Sequence, residues 1–332
     1  MEGYPPLSKS RLYCPISKFN GKFFFSLVDY RNSYFTSDNP DKIIEFYNSF
    51  KDRDDLIEWM KERPKGVANI YEVNGDKEII VVIPTADFNG KYAKECKNIF
   101  KGLHIIFVES GGKGDFYFNY AHNCNVGIRK AIEYNPKWII VSNDDVQAEK
   151  VENLIKILDN VNAEYCIPNN QYSNRSVRIF RVNKSVFVGY LIYNFFIKGW
   201  KISRFIERMA LDKRYSKDLI LISKDSGMIY KLLDFFANSV TTSFENFADF
   251  GVFQAKTLQN YIYDESFING HEDTELCIRL AAHGIRASSI NFRAEQAEGG
   301  GNSVGKGNSL LRIEKDWANQ IMLSEKLKNI QK

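Results

Sequence analysis

Cysteine is scarce in this chain and scattered singly: five residues among 332 (Cys14, Cys96, Cys124, Cys166, Cys277), with no Cys-x-x-Cys pair. That spacing supports no zinc ribbon, no thioredoxin-type motif and no disulfide framework, and it fits a reduced, cytoplasmic compartment. Long apolar runs are missing too. No stretch reaches the roughly 18–20 apolar residues that a membrane span needs. Residues 186–197 come nearest, but they are too short and include Asn194. Residues 1–10 have no apolar core behind a basic start, so no secretory signal is expected. Charge of one sign is lacking as well: 45 Lys and Arg against 41 Asp and Glu leave +4. A balance so even does not imply a nucleic-acid partner. There is no internal repeat and no low-complexity tract. At 44% hydrophobic and 26% charged, the chain can bury a sizeable core as one large α/β domain or two modest ones.

Residues 1–76 read as an N-terminal extension. Within it, residues 23–28 form a short apolar run that reads as a strand. Asn39-Pro40-Asp41 then opens a helix with Ile43, Ile44, Phe46 and Tyr47, and later Leu56, Ile57 and Met60, at helical spacing. Arg63-Pro64-Lys65-Gly66 ends it, and Asn74-Gly75-Asp76 marks a turn. Three short β-branched runs follow: Ile79-Ile80-Val81-Val82-Ile83, Ile105-Ile106-Phe107-Val108 and Trp138-Ile139-Ile140-Val141. They are apolar on both faces, as strands of a buried parallel sheet are. Helical patterns at 91–101 and 120–134 separate them, so the expectation is an open α/β sheet with two right-handed crossovers. A sheet strand is expected again near 247–255, a helix over 272–283 capped by Gly284, a strand over 285–292, and a closing amphipathic helix from 309 to about 328.

Ligands of such sheets bind beyond the carboxyl ends of the strands. There the sequence places Thr85-Ala86-Asp87, Glu109-Ser110-Gly111-Gly112 and Asn143-Asp144-Asp145. Carboxylates at a strand end suit a hard divalent cation, and Asn and Asp equally suit a turn or a helix cap. The string Gly270-His271-Glu272-Asp273 puts two acids at a helix start, a position that favours negative charge whatever its function.

Taken together, several pieces resemble the inverting glycosyltransferases of family 2, which have the GT-A fold. They are Val82-Ile83-Pro84-Thr85, Asn123-Cys124-Asn125-Val126-Gly127-Ile128, the segment from Trp138 to Val146, and the string from Asp264 through Glu272-Asp273 to Arg279. The resemblance covers about residues 77–170 and 247–305. It implies a Rossmann-like, open, mostly parallel sheet flanked by helices. It also implies transfer of a sugar from a nucleotide-diphosphate donor to an acceptor hydroxyl with inversion. On this likeness Asp273 is the general base with Glu272 beside it, Asp145 and Asp144 are metal ligands for Mn2+ or Mg2+, and Pro84, Thr85, Asp87, Glu109, Asn125, Asn143 and Asp144 bind the nucleotide-sugar. His271 and Arg279 face the acceptor, a glycan or a lipid-linked glycan. Members of the family often carry a His after the last strand. Here Ala294-Glu295-Gln296-Ala297-Glu298 has none, and Glu298, ahead of a glycine loop, is the substitute metal ligand expected, with Glu295 as the second choice. In that loop Lys306 is placed to meet the diphosphate. A non-catalytic nucleotide-sugar or glycan-binding protein on the same scaffold is the alternative.

The glycine loop is also a near miss for a P-loop, with Gly307 where Ser or Thr should follow Lys306. Only 25 residues follow Gly307 (332 minus 307), too few for the sheet that an NTPase builds after its P-loop. Residues 171–246 read as a helical insert on the acceptor side, between a nucleotide-binding half at 77–170 and an acceptor half at 247–308, with 309–332 as the last helix. Within the insert, 186–217 combines an aromatic run with Lys198, Lys201, Arg204 and Arg208. This fits either a buried helix beside a solvated basic one or peripheral contact with an anionic membrane surface. His104 and His122 read as structural, and His283 as flanking the end of its helix.

Overall fold

The structure is a computed structural model; it describes residues 18–19, 22–23, 29–110, 115–181, 212, 214–215, 218–224, 240–247, 249–297 and 309–330. Two compact units divide the chain, residues 1–49 and 50–332. In the first, strands β1 (Lys18–Phe19) and β2 (Lys22–Phe23) pair antiparallel, and helices α1 (Tyr30–Phe35) and α2 (Pro40–Asn48) follow. Asn39 caps α2 by accepting the Asp41 N–H, with Pro40 in the first turn where its missing donor is not needed. Of the strand expected over 23–28, Phe23 lies in β2 and the rest falls outside the described residues.

The second unit opens with α3 (Arg53–Glu62), and here the single helix expected from Asn39 to Arg63 is corrected to two. The Asp52 side chain accepts the N–H groups of both Asp54 and Asp55, starting a new helix after a non-helical break. Apolar periodicity runs on through such a break; a capping side chain does not.

Strands β3 (Asn69–Val73) and β4 (Asp76–Thr85), helix α4 (Lys91–Ile99), β5 (Leu103–Glu109), α5 (Tyr120–Ile132) and β6 (Trp138–Ser142) come next. They are followed by β7 (Val146–Ala148), α6 (Val151–Leu158) and β8 (Tyr165–Pro168). Then come β9 (Ser173–Arg181), β10 (Asp218–Lys224), β11 (Val240–Asn246), β12 (Phe250–Gln254) and α7 (Ala255–Asn260). The chain closes with α8 (Glu272–Ala282), β13 (Ala287–Ile290), β14 (Ala294–Gln296) and α9 (Ser309–Ile330).

The main sheet has seven strands in the order β13-β8-β12-β6-β4-β5-β3. Its centre is parallel, with β4 pairing β5 on one side and β6 on the other. Strand β12 runs antiparallel to both β6 and β8, and β3 antiparallel to β5, so the sheet is mixed and mostly parallel. The three apolar runs of the sequence are β4, β5 and β6, buried on both faces. Part of the extension drawn over 1–76 thus supplies the sheet's edge strand, β3.

Between β4 and β5 the chain crosses through α4, and between β5 and β6 it returns through α5 to the far side of β4. The crevice at the carboxyl ends of β4 and β6 is therefore a topological switch point, where open α/β sheets bind ligands. Helix α5 lies directly on the sheet there. A Cβ on Gly127 would stand 2.4 Å from Val82 Cγ1 and 3.0 Å from Val108 Cγ2.

The insert, expected to be helical, forms a three-stranded antiparallel sheet in the order β10-β9-β11 where it is described. Its helical expectation and the proposed membrane-facing segment fall almost wholly outside the described residues. Among the described residues no helix is long and apolar enough to cross a membrane.

Candidate functional site

Strand β4 ends at Thr85 and β6 at Ser142, which delivers Asn143-Asp144-Asp145 beside Thr85. The Thr85 hydroxyl donates to Asp144 Oδ2 at 2.7 Å. Asp145 is buried, and its Oδ2 accepts the Gln296 amide at 2.9 Å. Gln296 is brought there by the ribbon of β7 and β14, in which it pairs opposite Val146. Burial pushes the Asp144 carboxyl up; the Thr85 hydrogen bond opposes this, and the charge of Asp145 adds to the rise.

Because β12 runs antiparallel, its beginning lies at this same edge of the sheet, and the residue just before it is Asp249. Its Oδ1 accepts the Asn143 side-chain amide at 2.8 Å, and its carbonyl accepts the Asn143 N–H at 3.0 Å. Asn143 Oδ1 in turn accepts the Tyr120 hydroxyl at 2.7 Å. Burial raises the Asp249 carboxyl, and the charges of Asp145 and Asp273 raise it further. Asp249 thus joins the two acid groups that the sequence identified separately.

The second group stands at the start of α8. Glu272, Asp273 and Glu275 lie in its first turn, where the exposed N–H groups of a helix favour negative charge. Glu272 is buried with its Oε2 unpartnered. Asp273 is partly exposed, and its Oδ1 accepts the Thr274 N–H at 2.7 Å. The helix end does not compensate for burial: both carboxyls are pushed up, Glu272 first by burial and then by the charge of Asp273. Together the two carboxyls form a protonatable pair.

A dense amide network fixes the loop that leads into this pair. Asn119 Nδ2 donates to the carbonyls of Glu265 and Phe267 at 3.0 and 2.9 Å. Asn125 Nδ2 donates to the Tyr263 carbonyl and to Glu265 Oε1, each at 2.9 Å, and its Oδ1 accepts the Tyr263 N–H at 3.0 Å. Asn269 Oδ1 accepts the Tyr120 N–H at 2.9 Å.

The expected residues therefore divide. Thr85, Asn143, Asp144 and Asp145 come together, Asp249 connects them to Asp273, and Glu272 and His271 adjoin Asp273. Pro84 is buried one residue before Thr85. Glu109 ends β5 and accepts the Phe88 N–H at 2.8 Å, while Asp87 is exposed in the turn entering α4. Asn125 is not brought to the crevice: it is fully buried and its amide is spent on the loop. Arg279 is likewise engaged, holding Glu275 at 2.8 and 3.0 Å and the Ile262 carbonyl at 2.7 Å. Glu298 and Lys306 lie outside the described residues. His104 and His122 contact Glu72 and Glu265, each at 2.8 Å, as structural histidines do.

Asp249, Gln296 and Tyr120 were not singled out in the sequence. The one signal for Asp249 was an acid immediately before an apolar strand, and this counts only once that strand is known to run antiparallel. Among the described residues no group of three or more His, Cys, Asp or Glu is arranged to hold a metal ion alone. No family model, curated protein or solved structure matches the chain.

Proposed function

We propose that the chain is a glycosyltransferase of GT-A type that moves a sugar from a nucleoside-diphosphate donor to an acceptor hydroxyl with inversion at the anomeric carbon. The observation that carries this reading is the placement of Asp145 and Asp273 around Asp249 at one end of the sheet, beside its switch point. The chemistry asks for two things at once. A sugar hydroxyl is a weak nucleophile and needs a positioned carboxylate to accept its proton. The diphosphate leaving group needs compensation for the charge it gains.

Asp273 supports the first role: it is partly exposed, held by Thr274, and burial raises its carboxyl, which makes it a stronger base than an ordinary aspartate. As the acceptor oxygen bonds to the anomeric carbon, its proton passes to Asp273 and the bond from that carbon to the phosphate oxygen breaks on the opposite face. Asn143 orients Asp249, and Thr85 and Gln296 orient Asp144 and Asp145. For the second role the donor set fits a divalent cation. Asp144 and Asp145 offer hard oxygens whose mutual repulsion a cation would relieve, and Mg2+ or Mn2+ at such sites is commonly held by one or two carboxylates plus substrate phosphates. Such a cation supplies charge neutralisation for the leaving diphosphate.

The test is a thermal-shift panel of UDP, GDP, CDP and dTDP, each with Mn2+, Mg2+ or EDTA, on the native chain and on Asp145→Ala. Stabilisation by one nucleotide that requires metal and is lost in the variant supports the reading. No response to any nucleotide removes the donor site and with it the proposal.

A further inference from the structure

Helix α9 grips the loop that leads into Asp273. Asn319 clasps Ile268, accepting its N–H at 2.8 Å and donating to its carbonyl at 3.0 Å. Gly270 lies against the same helix: a Cβ there would stand 2.8 Å from Asp316 Oδ1 and 2.9 Å from Asn319 Nδ2. Lys326 pairs with Asp264 at the start of the loop. Within this grip His271 adopts a left-handed φ of 65°, a conformation that a non-glycine residue keeps only where its surroundings impose it. Its carbonyl accepts the Glu275 N–H at 2.8 Å as α8 begins, and its Nε2 stands 3.1 Å from Asp316 Oδ2, an ion-pair contact off the line of a straight hydrogen bond. The strained residue thus places one imidazole between a carboxylate of α9 and the acid pair of α8.

We propose that Asp316 is a positioning residue: through His271 it keeps a positive charge beside Glu272 and Asp273, so that Asp273 can accept a proton near neutral pH. The inference rests on the reading of Asp273 as the base. Charge supports it from each side. Burial disfavours the imidazolium, but Asp316, then Asp273 and Glu272, outweigh that and raise the His271 pKa. Burial also pushes Asp316 up, and His271, Gln320 and Asn319 overcome this and leave its carboxyl below the ordinary range. His271 in turn opposes the rise of both acids. Among the described residues, the other titratable groups facing the pair are Tyr120 and Cys124 of α5, Tyr263 before the loop, Cys277 of α8 and Asp249 before β12. Burial raises all four phenols and thiols and keeps them neutral, so none of them supplies the charge. Glu275 is taken up by Arg279.

The experiment titrates the His271 ring and the Glu272 and Asp273 carboxyls by NMR in the labelled full chain, native and with Asp316→Asn or Asp316→Glu. Asp316→Asn is expected to lower the His271 midpoint by about one pH unit and to move the carboxyl midpoints up, with Asp316→Glu restoring most of both. A folded Asp316→Asn chain with unmoved midpoints overturns the proposal. Should that variant not fold, His271→Gln reads the same coupling: carboxyls that titrate as in the native chain overturn it, and carboxyls moved up support it.

Diphosphate release from UDP-, GDP-, CDP- and dTDP-glucose against pH separates this inference from the one beneath it. An Asp273→Asn chain that hydrolyses at the native rate defeats the base reading whatever the NMR shows. A lowered His271 midpoint in Asp316→Asn with an unchanged acid limb of kcat/KM defeats the positioning role and leaves the base reading standing.

Discussion

The two acid pairs of this molecule sit in opposite settings. Asp144 and Asp145 follow a strand in the crevice and are held by neutral donors, the Thr85 hydroxyl and the Gln296 amide. Glu272 and Asp273 open a helix, under an imidazole paired to Asp316, at the end of a loop clasped by α5 and α9. The Thr85 hydroxyl and the Gln296 amide orient the two carboxylates at the mouth of the crevice, which suits a cation that arrives with its ligand. A half-buried pair beside a titratable ring can instead gain and lose a proton. On the proposed reading one pair serves the leaving group and the other the nucleophile, and Asp249 spans them.

The comparison can be broken most severely at Asp273. Asp273→Asn is expected to lower turnover by at least about 10²-fold, the lower end of what a general base contributes, while nucleotide-dependent stabilisation stays as in the native chain; assay and thermal shift on one sample check both. Next comes Asp145→Ala, which is expected to abolish metal-dependent stabilisation, worth about 2.7 kcal/mol at a ligand concentration 100-fold above Kd.

Gly127→Ala tests the scaffold beneath both pairs. The added methyl would stand 2.4 Å from Val82 Cγ1, so a loss of about 1–3 kcal/mol in urea unfolding is expected, with no selective effect on either pair.

The smallest expected effect sharpens the contrast instead. Glu272→Gln should stabilise the fold at pH 8 by about 1–2 kcal/mol, because an ionised carboxylate is no longer buried beside Asp273. The native carboxyl has a pKa above its unfolded value of 4.5. The folded state therefore holds the proton more tightly, and the native chain loses stability as pH rises from 4.5 through the raised value. The gain from Gln should accordingly vanish as pH falls towards 4.5; parallel unfolding curves at pH 5 and pH 8 decide it.

Much of this was legible before any fold was known. Short β-branched runs bounded by polar or turn residues read as buried strands, and the polar residues that end the parallel ones fall at one edge of the sheet. Acids at a helix start were equally plain in Glu272-Asp273. Other features needed contacts that periodicity does not encode. The break at Asp52 was hidden because the apolar spacing continues across it. Asn125 looked like a binding residue and proved to hold Tyr263, since an amide in a helix carries no mark of which loop it will meet. The β9–β11 sheet lay within a segment whose aromatic run dominated the reading.

By itself, then, the order of residues determined the central strands β4, β5 and β6, the helices between them and the polar residues at their ends, because side-chain periodicity and capping act over a few residues. Tertiary structure alone decided the direction of β12, which brings Asp249 to the carboxyl edge, and the docking of α9, which sets Asp316 beside His271. Both depend on pairings between segments dozens of residues apart. Packing and hydrogen bonding between layers select those pairings, and no local pattern records them.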